Sequence, residues 1–403
     1  MTCYLTMTQA LDRTTLTRGN NEHRLIGLDL LRCFAIGGVV LSHSLGFIYP
    51  YVPAVNLGFL GQLHLYHLGH LGFYGVELFF VLSGYLIGGL LVRQGEELSK
   101  VTELKRFYLR RWFRTLPNYY LFLGINFILT GTLMGGPFLW ERLPKYSFFL
   151  QNLVSAKLDF FLESWSLGIE EWFYLVFAFT LFIVLRRNPK RVNAFLLVGI
   201  TLYSASTLCR ILYANNADNL WHTAQREVVI IRFDALMTGV LAAWASHNYP
   251  GVFYRNKHSA AFLGLMILVI CYTTLYIPGD FNNHFFAKTF RFNFVSLGFA
   301  CLLPWATQIQ NMLNGTLAWL IESLSRWSYS MYFVNLPFMY YVNTGLFPKN
   351  QSSAIQGWCA FVLGIVGTVT LSALIFKYFE YPITNLRDRF SGSVPPKKAN
   401  AVS

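Results

Sequence analysis

Charged residues are scarce in this chain. Only 13% of its 403 residues are Asp, Glu, Lys or Arg, while 54% are hydrophobic, and soluble domains usually carry about 25% charged residues. Apolar runs of about 20 residues recur along the sequence, and this is the length that an α-helix needs to cross a bilayer. The composition therefore argues against a series of soluble domains and indicates one polytopic membrane domain.

Several motifs of familiar enzymes are missing as well. The sequence has no GxSxG nucleophile elbow, no P-loop and no dinucleotide fingerprint. Its six cysteines are scattered without a CxxC pair, so we expect neither a disulfide framework nor a zinc site. His64, His67 and His70 lie close together, but on a helix His70 would face away, and no nearby Cys or acid completes a metal site. We therefore expect no bound metal and no bound cofactor.

Basic residues outnumber acidic ones. With 32 Lys and Arg against 19 Asp and Glu, the formal charge is +13. The basic side chains cluster in short segments between the apolar runs, at 93–114, 186–191, 255–257 and 387–398. Such clusters mark the cytosolic ends of membrane helices. We therefore interpret them as signals that orient the protein in the membrane, and not as a nucleic-acid binding surface.

These patterns predict an all-α polytopic membrane bundle with about ten transmembrane helices and both termini in the cytosol. Residues 1–24 would be a cytosolic segment without the apolar core of a signal peptide, residues 25–382 the membrane domain, and residues 383–403 a basic, disordered cytosolic tail. If the half-apolar residues 138–153 crossed the membrane, the basic segment 186–191 would lie outside the cell, against the positive-inside rule. We therefore expect residues 138–153 to form a re-entrant or interfacial segment. The predicted spans are 25–49, 72–92, 116–135, 166–185, 193–214, 228–246, 259–277, 289–307, 327–346 and 357–379.

The first apolar run, residues 25–49, contains three ionisable side chains, Asp29, Arg32 and His43. A charge at the centre of a bilayer costs about 3 kcal/mol, so such residues are candidates for function. Arg32 and His43 are eleven positions apart. That spacing is roughly 20° from three full turns, so both side chains lie on one helix face, about 16 Å apart along the axis. The pattern predicts a cation near one membrane face and an imidazole nearer the other.

Six short segments, in this order, resemble the signature of the membrane-bound acyltransferase-3 family. The first is the pair Arg32 and His43, which flank ten residues. The resemblance implies an integral membrane enzyme that moves an acyl group, often acetyl, from cytosolic acyl-CoA to a carbohydrate hydroxyl. Many relatives carry histidine where this chain has Asn335, so an accessory role at that position stays open. The other segments are FFVLSGYLI (79–87), RRWFRTLP (110–117), WSLGIEEWFYL (165–175), RFDALMTG (232–239) and SYSMYFVNLP (328–337).

Arg111 and Arg114 are the predicted cations for the phosphate groups of acyl-CoA. They lie three positions apart on a helix that enters the third span, so both side chains can point the same way. Guanidinium groups match phosphate oxygens better than lysine does. Arg32, about two turns into the first span, would orient the thioester arm or the pyrophosphate. Alternatively, Arg111 and Arg114 only satisfy the positive-inside rule, and Arg32 only pairs with Asp29.

His43 is the predicted chemical centre. Histidine titrates near neutral pH and can take a proton from a sugar hydroxyl or briefly carry an acyl group. Glu170 or Glu77, both in the outer third of their spans, would hold the ring and stabilise its charged form, and Asp234 is a further buried acid. The alternatives are a neutral core histidine and purely structural acids, for example Asp234 paired with Arg232.

Trp165 and Ser166 are possible supporting residues, together with Tyr174, Tyr329 and Tyr332. Their hydroxyl groups and rings suit hydrogen bonds to a sugar and stacking on its faces. An aromatic belt at the membrane interface explains the aromatic residues equally well.

The sequence therefore predicts a multi-pass enzyme of the bacterial cytoplasmic (inner) membrane, with acyl-CoA, and acetyl-CoA in the first place, as a donor substrate. The expected partners are a cell-surface or lipid-linked carbohydrate acceptor, the lipid bilayer and a separate periplasmic or glycan-assembly protein. Two alternatives stay open. One is a proton-coupled secondary transporter, although no internal repeat is evident, and the other is an acyltransferase that acts on a small molecule such as an antibiotic.

Overall fold

The computed structural model is helical and contains no strand in the ranges that it describes, so the predicted all-α class is confirmed. The predictions for residues 1–24, for His64 and His67, and for residues 391–403 lie outside those ranges. The structure describes residues 25–48, 68–132, 139–155, 158, 160–188, 193–214, 224–276, 284–309, 315–347 and 353–390.

Fourteen α-helices follow one another along the described part of the chain. They are α1 (Ile26–Ile48), α2 (Leu71–Gln94), α3 (Val101–Thr132), α4 (Leu143–Ser147), α5 (Ser164–Arg187), α6 (Ala194–Ala214), α7 (Ala224–Glu227), α8 (Phe233–Asn248), α9 (Pro250–Arg255), α10 (Lys257–Thr273), α11 (Phe285–Ala306), α12 (Thr316–Tyr341), α13 (Ala354–Ile375) and α14 (Tyr381–Phe390). The 3₁₀-helices are Gly95–Ser99, Trp140–Arg142, Val229–Ile231 and Thr274–Tyr276, and the π-helices are Val342–Leu346 and Phe376–Glu380.

Each predicted span overlaps one of the long helices, which in the described ranges are α1, α2, α3, α5, α6, α8, α10, α11, α12 and α13. Six helical stretches in those ranges are long and apolar enough to cross a membrane, and they contain α1, α2, α5, α6, α11 and α13. The chain is thus an all-α membrane protein, and the total of about ten crossing helices stays a prediction.

Two helices extend beyond their predicted spans on the N-terminal side. α3 begins at Val101 instead of 116, and α12 begins at Thr316 instead of 327. Charged side chains interrupt the apolar runs in both extensions, so a search for apolar sequence ends too early. In α3 the extension carries Arg111 and Arg114 on the same continuous helix as the apolar part, as predicted.

α2 is the most enclosed of the long helices in the described part and packs against α1, α8 and α11. An added Cβ at Gly84 would lie 1.9 Å from the carbonyl oxygen of Leu236, and one at Gly239 would lie 2.1 Å from that of Val81. Helices in membranes associate through close packing at such small residues. These two glycines therefore keep α2 and α8 in backbone contact.

Residues 139–153 pack against the bundle without crossing it. Their helix α4 has five residues, which is too short to span a bilayer. Tyr119 of α3 donates a hydrogen bond of 2.7 Å to the carbonyl of Tyr146, and Trp172 of α5 donates one of 2.9 Å to the carbonyl of Phe149. The segment therefore lies alongside α3 and α5, and its re-entrant or interfacial position in the membrane stays a prediction.

The C-terminal part returns to α3. Glu380, in the last π-helix, accepts hydrogen bonds from Asn118 at 2.8 Å and from Ser330 at 2.6 Å. The ring of Phe390 stacks on Phe113 with centroids 5.4 Å apart. Residues 383–390, which the sequence analysis assigned to a disordered tail, thus belong to helix α14, because its apolar side chains pack on α3.

Candidate active site

A cavity of about 290 Å³ lies between α2, α3, α5 and α12, with Arg32 of α1 in its wall. Seven residues that the sequence analysis singled out line this cavity in addition to Arg32, and they are Arg111, Arg114, Ser166, Glu170, Tyr174, Tyr329 and Tyr332. The helices that contribute them are far apart in sequence, so their convergence is a property of the fold. The cavity is therefore the candidate active site.

Arginines surround one end of the cavity. Arg93 at the end of α2 and Arg114 on α3 are exposed, while Arg111 is half-buried, and all three line the space. The Nε atom of Arg111 is buried and has no hydrogen-bond partner among the described residues. This end presents several guanidinium donors to a ligand that enters from the basic side of the protein.

Arg32 pairs with Asp29 and also lines the cavity. Its Nη1 atom lies 3.4 Å from Oδ1 of Asp29, and Ser325 donates a hydrogen bond of 2.6 Å to the same oxygen. The Arg32 side chain still exposes 20% of its surface and lines the cavity. Asp29 and Ser325 therefore hold a cation that remains accessible from the cavity.

Glu170 is half-buried and faces the cavity near two hydroxyl groups. The hydroxyls of Ser83 on α2 and Tyr174 on α5 lie 2.7 Å apart and line the same space. Tyr329 on α12 also lines it and donates a hydrogen bond of 2.8 Å to the carbonyl of Thr115. The middle of the cavity thus combines one carboxyl group with several hydroxyls.

Ser166 and Tyr332 close the other end of the cavity. Their hydroxyl groups are hydrogen-bonded at 2.7 Å, and both side chains line the space. Tyr332 also donates to the carbonyl of Glu163 at 3.2 Å. From Arg93 to Val76, both in the wall, α2 advances by 17 residues, or roughly 25 Å along the helix axis.

His43 lies just beyond this closed end. Its Nδ1 atom is hydrogen-bonded to Oδ1 of Asn335, one turn along α12 from Tyr332. The positive charge of Arg226 is close enough to act on the ring. Asn335 is thus the partner that the described residues supply to His43, in place of the Glu170 or Glu77 that the sequence analysis expected.

Glu77 and Asp234 belong to a separate cluster of charges away from the cavity. Arg232 lies 2.6 Å from Glu77 and 3.6 Å from Asp234, and Arg210 lies 2.9 Å from Asp234, with all four side chains fully buried. A buried charge is tolerated only when it is paired in this way. The structural interpretation of Asp234 therefore fits the observed contacts, and it extends to Glu77.

The charge cluster supports the residues next to His43. Arg232 donates a hydrogen bond of 2.8 Å to the carbonyl of Arg226. The guanidinium group of Arg226 lies 4.7 Å from the ring centroid of Trp165, a cation–π distance. Trp165 is buried and does not line the cavity, and its ring contacts Phe80 as well as Arg226.

The sequence analysis did not single out Arg210, Arg226 or Glu163. Arg210 lies inside an otherwise apolar predicted span, and an arginine there is a candidate by default, so the signal was present. Glu163 precedes α5, is buried, and has an Oε2 atom without a hydrogen-bond partner in the described ranges. Burial raises the pKa of Glu163 to about 8. Arg226 and Glu163 lie outside the predicted spans, where the sequence gives no sign of burial.

Possible metal ligands do not cluster in the part of the chain that the structure describes. No three His, Cys, Asp or Glu side chains come together there as a metal site would require. His70 belongs to this part, whereas His64 and His67 do not. The arginine-lined cavity, in contrast, suits an anionic organic ligand.

Comparison with known proteins adds the family. The model of a family described as an acyltransferase domain matches residues 25–377, nearly the whole chain. No solved structure matches the chain.

The curated relatives are larger bacterial proteins. The O-acetyltransferase OatA of Staphylococcus aureus (strain MRSA252) is 25% identical over 93% of this chain and 60% of its own length. The putative peptidoglycan O-acetyltransferase YrhL of Bacillus subtilis is 25% identical over 90% of this chain and 55% of its own length. The peptidoglycan O-acetyltransferase OatA of Listeria monocytogenes is 26% identical over 77% of this chain and 51% of its own length. The chain thus spans between half and 60% of the length of these relatives.

Proposed function

Because the chain belongs to the acyltransferase-3 family, whose model covers residues 25–377, we propose that it transfers an acetyl group from acetyl-CoA to a carbohydrate hydroxyl across the membrane. One observation carries this proposal. A single cavity joins an arginine-rich mouth to a closed end at Ser166 and Tyr332, one helical turn from the residue that holds His43. This geometry offers a donor site and a proton acceptor at opposite ends of one path.

The mouth fits the phosphate groups of the donor. Arg93, Arg111 and Arg114 would bind the nucleotide phosphates, and Arg32 would contact the arm deeper in the wall. The cavity is narrow and, along α2, roughly 25 Å long, so an extended pantetheine arm would bring the thioester towards Ser166. The basic segments at this end favour the cytosol, where acyl-CoA is present.

His43 would carry out the chemistry at the far end. In a direct transfer, its ring takes the proton of the acceptor hydroxyl, and the oxygen attacks the thioester carbonyl. The carbon–sulfur bond then breaks, and the coenzyme A thiolate leaves and takes up a proton. In the alternative route a ring nitrogen of His43 attacks the thioester carbonyl, the carbon–sulfur bond breaks and coenzyme A leaves as the thiolate. The acceptor oxygen then attacks the acetyl carbon, the bond to the ring nitrogen breaks, and the proton of the hydroxyl passes to the thiolate or to solvent. Ser166 and Tyr332 lie between the cavity mouth and His43. Rotation of either hydroxyl away from its present acceptor would let it donate a hydrogen bond to the carbonyl oxygen in either route.

A carbohydrate on the outer side is the acceptor that the relatives favour. Two of them are named for peptidoglycan, so a glycan of the cell surface or its lipid-linked precursor is the acceptor class proposed here. A separate periplasmic or glycan-assembly protein is the partner proposed for the acceptor side. The protein would reside in the bacterial cytoplasmic membrane with both ends of the described chain in the cytosol.

Donor binding by the arginines is tested with purified protein in detergent. The double variant Arg111→Ala/Arg114→Ala should lose at least about 10-fold in affinity for acetyl-CoA, because each charge-assisted contact contributes about 1.5–3 kcal/mol. Lysine at both positions should restore only part of the affinity, since it lacks the planar guanidinium. Calorimetric titration gives the affinity.

The matched control is Arg186→Ala/Arg187→Ala at the end of α5. These exposed arginines belong to a basic segment on the same side but do not line the cavity. If the cavity binds the donor, the control keeps wild-type affinity. Equal affinity in the folded Arg111/Arg114 variant would show that those arginines serve only orientation in the membrane.

A further inference from the structure

The side-chain amide of Asn335 is held in one orientation by its own helix. Its Nδ2 atom donates hydrogen bonds to the carbonyl of Met331 at 2.9 Å and to the carbonyl of Tyr332 at 2.6 Å. A rotated amide would point its oxygen at two carbonyl oxygens, which repel it. The Oδ1 atom of Asn335 is therefore the atom that faces His43.

This orientation fixes the proton on the histidine ring. Oδ1 of an amide only accepts hydrogen bonds, so Nδ1 of His43 must donate and must carry the hydrogen. A neutral imidazole has one N–H, and Nε2 therefore keeps its lone pair. We propose that Asn335 is a positioning residue that holds His43 in the Nδ1–H tautomer and leaves Nε2 as the proton acceptor.

The inference rests on the proposed role of His43, and it also specifies the charge of the group that holds the ring. In serine proteases a carboxylate holds the corresponding ring and stabilises its charged form. Here a neutral amide holds the ring, and the nearby charge is that of Arg226, a cation. The partner thus selects the tautomer without supplying a negative charge to the ring.

The tautomer is visible by ¹⁵N NMR of the full chain in detergent or nanodiscs, labelled at its nine histidines. The resonances of His43 are those that disappear in His43→Gln. Spectra are taken about two pH units above the ordinary imidazole pKa of about 6.5, so that the ring is neutral. The expected spectrum shows a protonated Nδ1 and an unprotonated Nε2.

Two variants separate this role from a packing role. Asn335→Leu removes the acceptor, so the hydrogen should move to Nε2, and kcat should fall about 100-fold, at the lower end of what a general base contributes. KM for acetyl-CoA should stay within about twofold, because the donor site is elsewhere. Asn335→Asp keeps an acceptor oxygen and should keep the Nδ1–H tautomer and more of the activity. The control is Asn248→Leu, since Asn248 makes the same bond to the carbonyl four residues earlier, 2.9 Å from Trp244, at an exposed helix end.

Two results would overturn the proposal: an Nε2–H tautomer in the wild-type protein, or an unchanged tautomer and kcat in Asn335→Leu. If Asn335→Leu does not fold, the tautomer observed in the wild type and in Asn335→Asp still tests the proposal. The proposed function fails separately, when His43→Gln retains activity, and that outcome does not depend on the tautomer.

Discussion

Four buried charged residues in the described part of this bundle are compensated by partners of opposite charge. Glu77, Asp234, Arg210 and Arg232 neutralise one another in full burial. The arginines of the cavity differ, because Arg114 is exposed and lines a space of ligand size. Whether a charged side chain is paired and buried, or exposed in a cavity, therefore indicates a structural or a functional role better than its depth in the membrane does.

Glu163 differs from these paired acids, and it predicts a pH dependence of stability. Burial raises its pKa from 4.5 to about 8 in the folded protein. The unfolded chain therefore loses the proton first, and stability falls as the pH rises through this window. Glu163→Gln should melt at a higher temperature than wild type at about pH 9, and the difference should vanish near about pH 4.

Thermal unfolding in detergent, followed by tryptophan fluorescence, measures this difference. The control is Glu141→Gln, because the Glu141 side chain is 79% exposed and lies in the segment 139–153 that precedes Glu163. Its melting temperature should follow wild type at both pH values. A Glu163→Gln variant that melts like wild type at about pH 9 contradicts the assignment of a costly buried carboxyl group.

The sequence predicted the candidate site residues better than it predicted their partners. Arg32, Arg111, Arg114, Ser166 and Glu170 meet in one cavity. The partner of His43, in contrast, was expected to be an acid. Helical periodicity shows which residues share a face of one helix, but the helix that faces them is set by packing between distant segments. The contact of α1 with α12 at Asn335 was therefore beyond the reach of the sequence.

At the level of helices, the same limit appears in the boundaries. The apolar runs located every long helix, but α3 and α12 start earlier than predicted because charged side chains interrupt their apolar pattern. Residues 138–153 were predicted from topology alone to be re-entrant or interfacial, and in the structure their described part contacts Tyr119 and Trp172. The length of an apolar run thus predicted that a long helix is present, but it did not predict the residue at which the helix begins.

The contact between α2 and α8 makes a prediction at this scale. Gly84→Ala would place a Cβ 1.9 Å from the carbonyl oxygen of Leu236, so the two helices must separate. We expect a loss of about 1–3 kcal/mol in stability, as for other overpacked cores, and weaker acetyl-CoA binding because α2 forms a wall of the cavity. Thermal unfolding and calorimetric titration measure the two effects.

The matched control for this variant is Gly124→Ala in α3. An added Cβ there meets no atom within 4 Å, and alanine is favoured over glycine inside a helix. Gly124→Ala should leave stability unchanged or slightly raised. If Gly84→Ala is equally harmless, the close approach of α2 and α8 is not what holds the cavity wall.

At the level of the whole molecule, the path through the bundle requires that its two ends face opposite sides of the membrane. Reporter fusions after Arg187 and after Lys257 should give a cytosolic signal, and fusions at His70 and His284 an external one. An external signal after Arg187 would reverse α5 and move Glu170 to the donor side. That result would separate the cavity mouth from the compartment of acyl-CoA and contradict the proposed direction of transfer.

The central claim is that His43 performs acyl transfer at the end of the cavity, and one measurement tests it most directly. Acetylation of the surface glycan is quantified by mass spectrometry in a deletion strain that expresses either wild type or His43→Gln. Glutamine keeps a hydrogen bond but cannot accept the proton. The account predicts a loss of at least about 10²-fold, to an undetectable level, with expression and acetyl-CoA binding intact. Acetylation near the wild-type level in His43→Gln would contradict it.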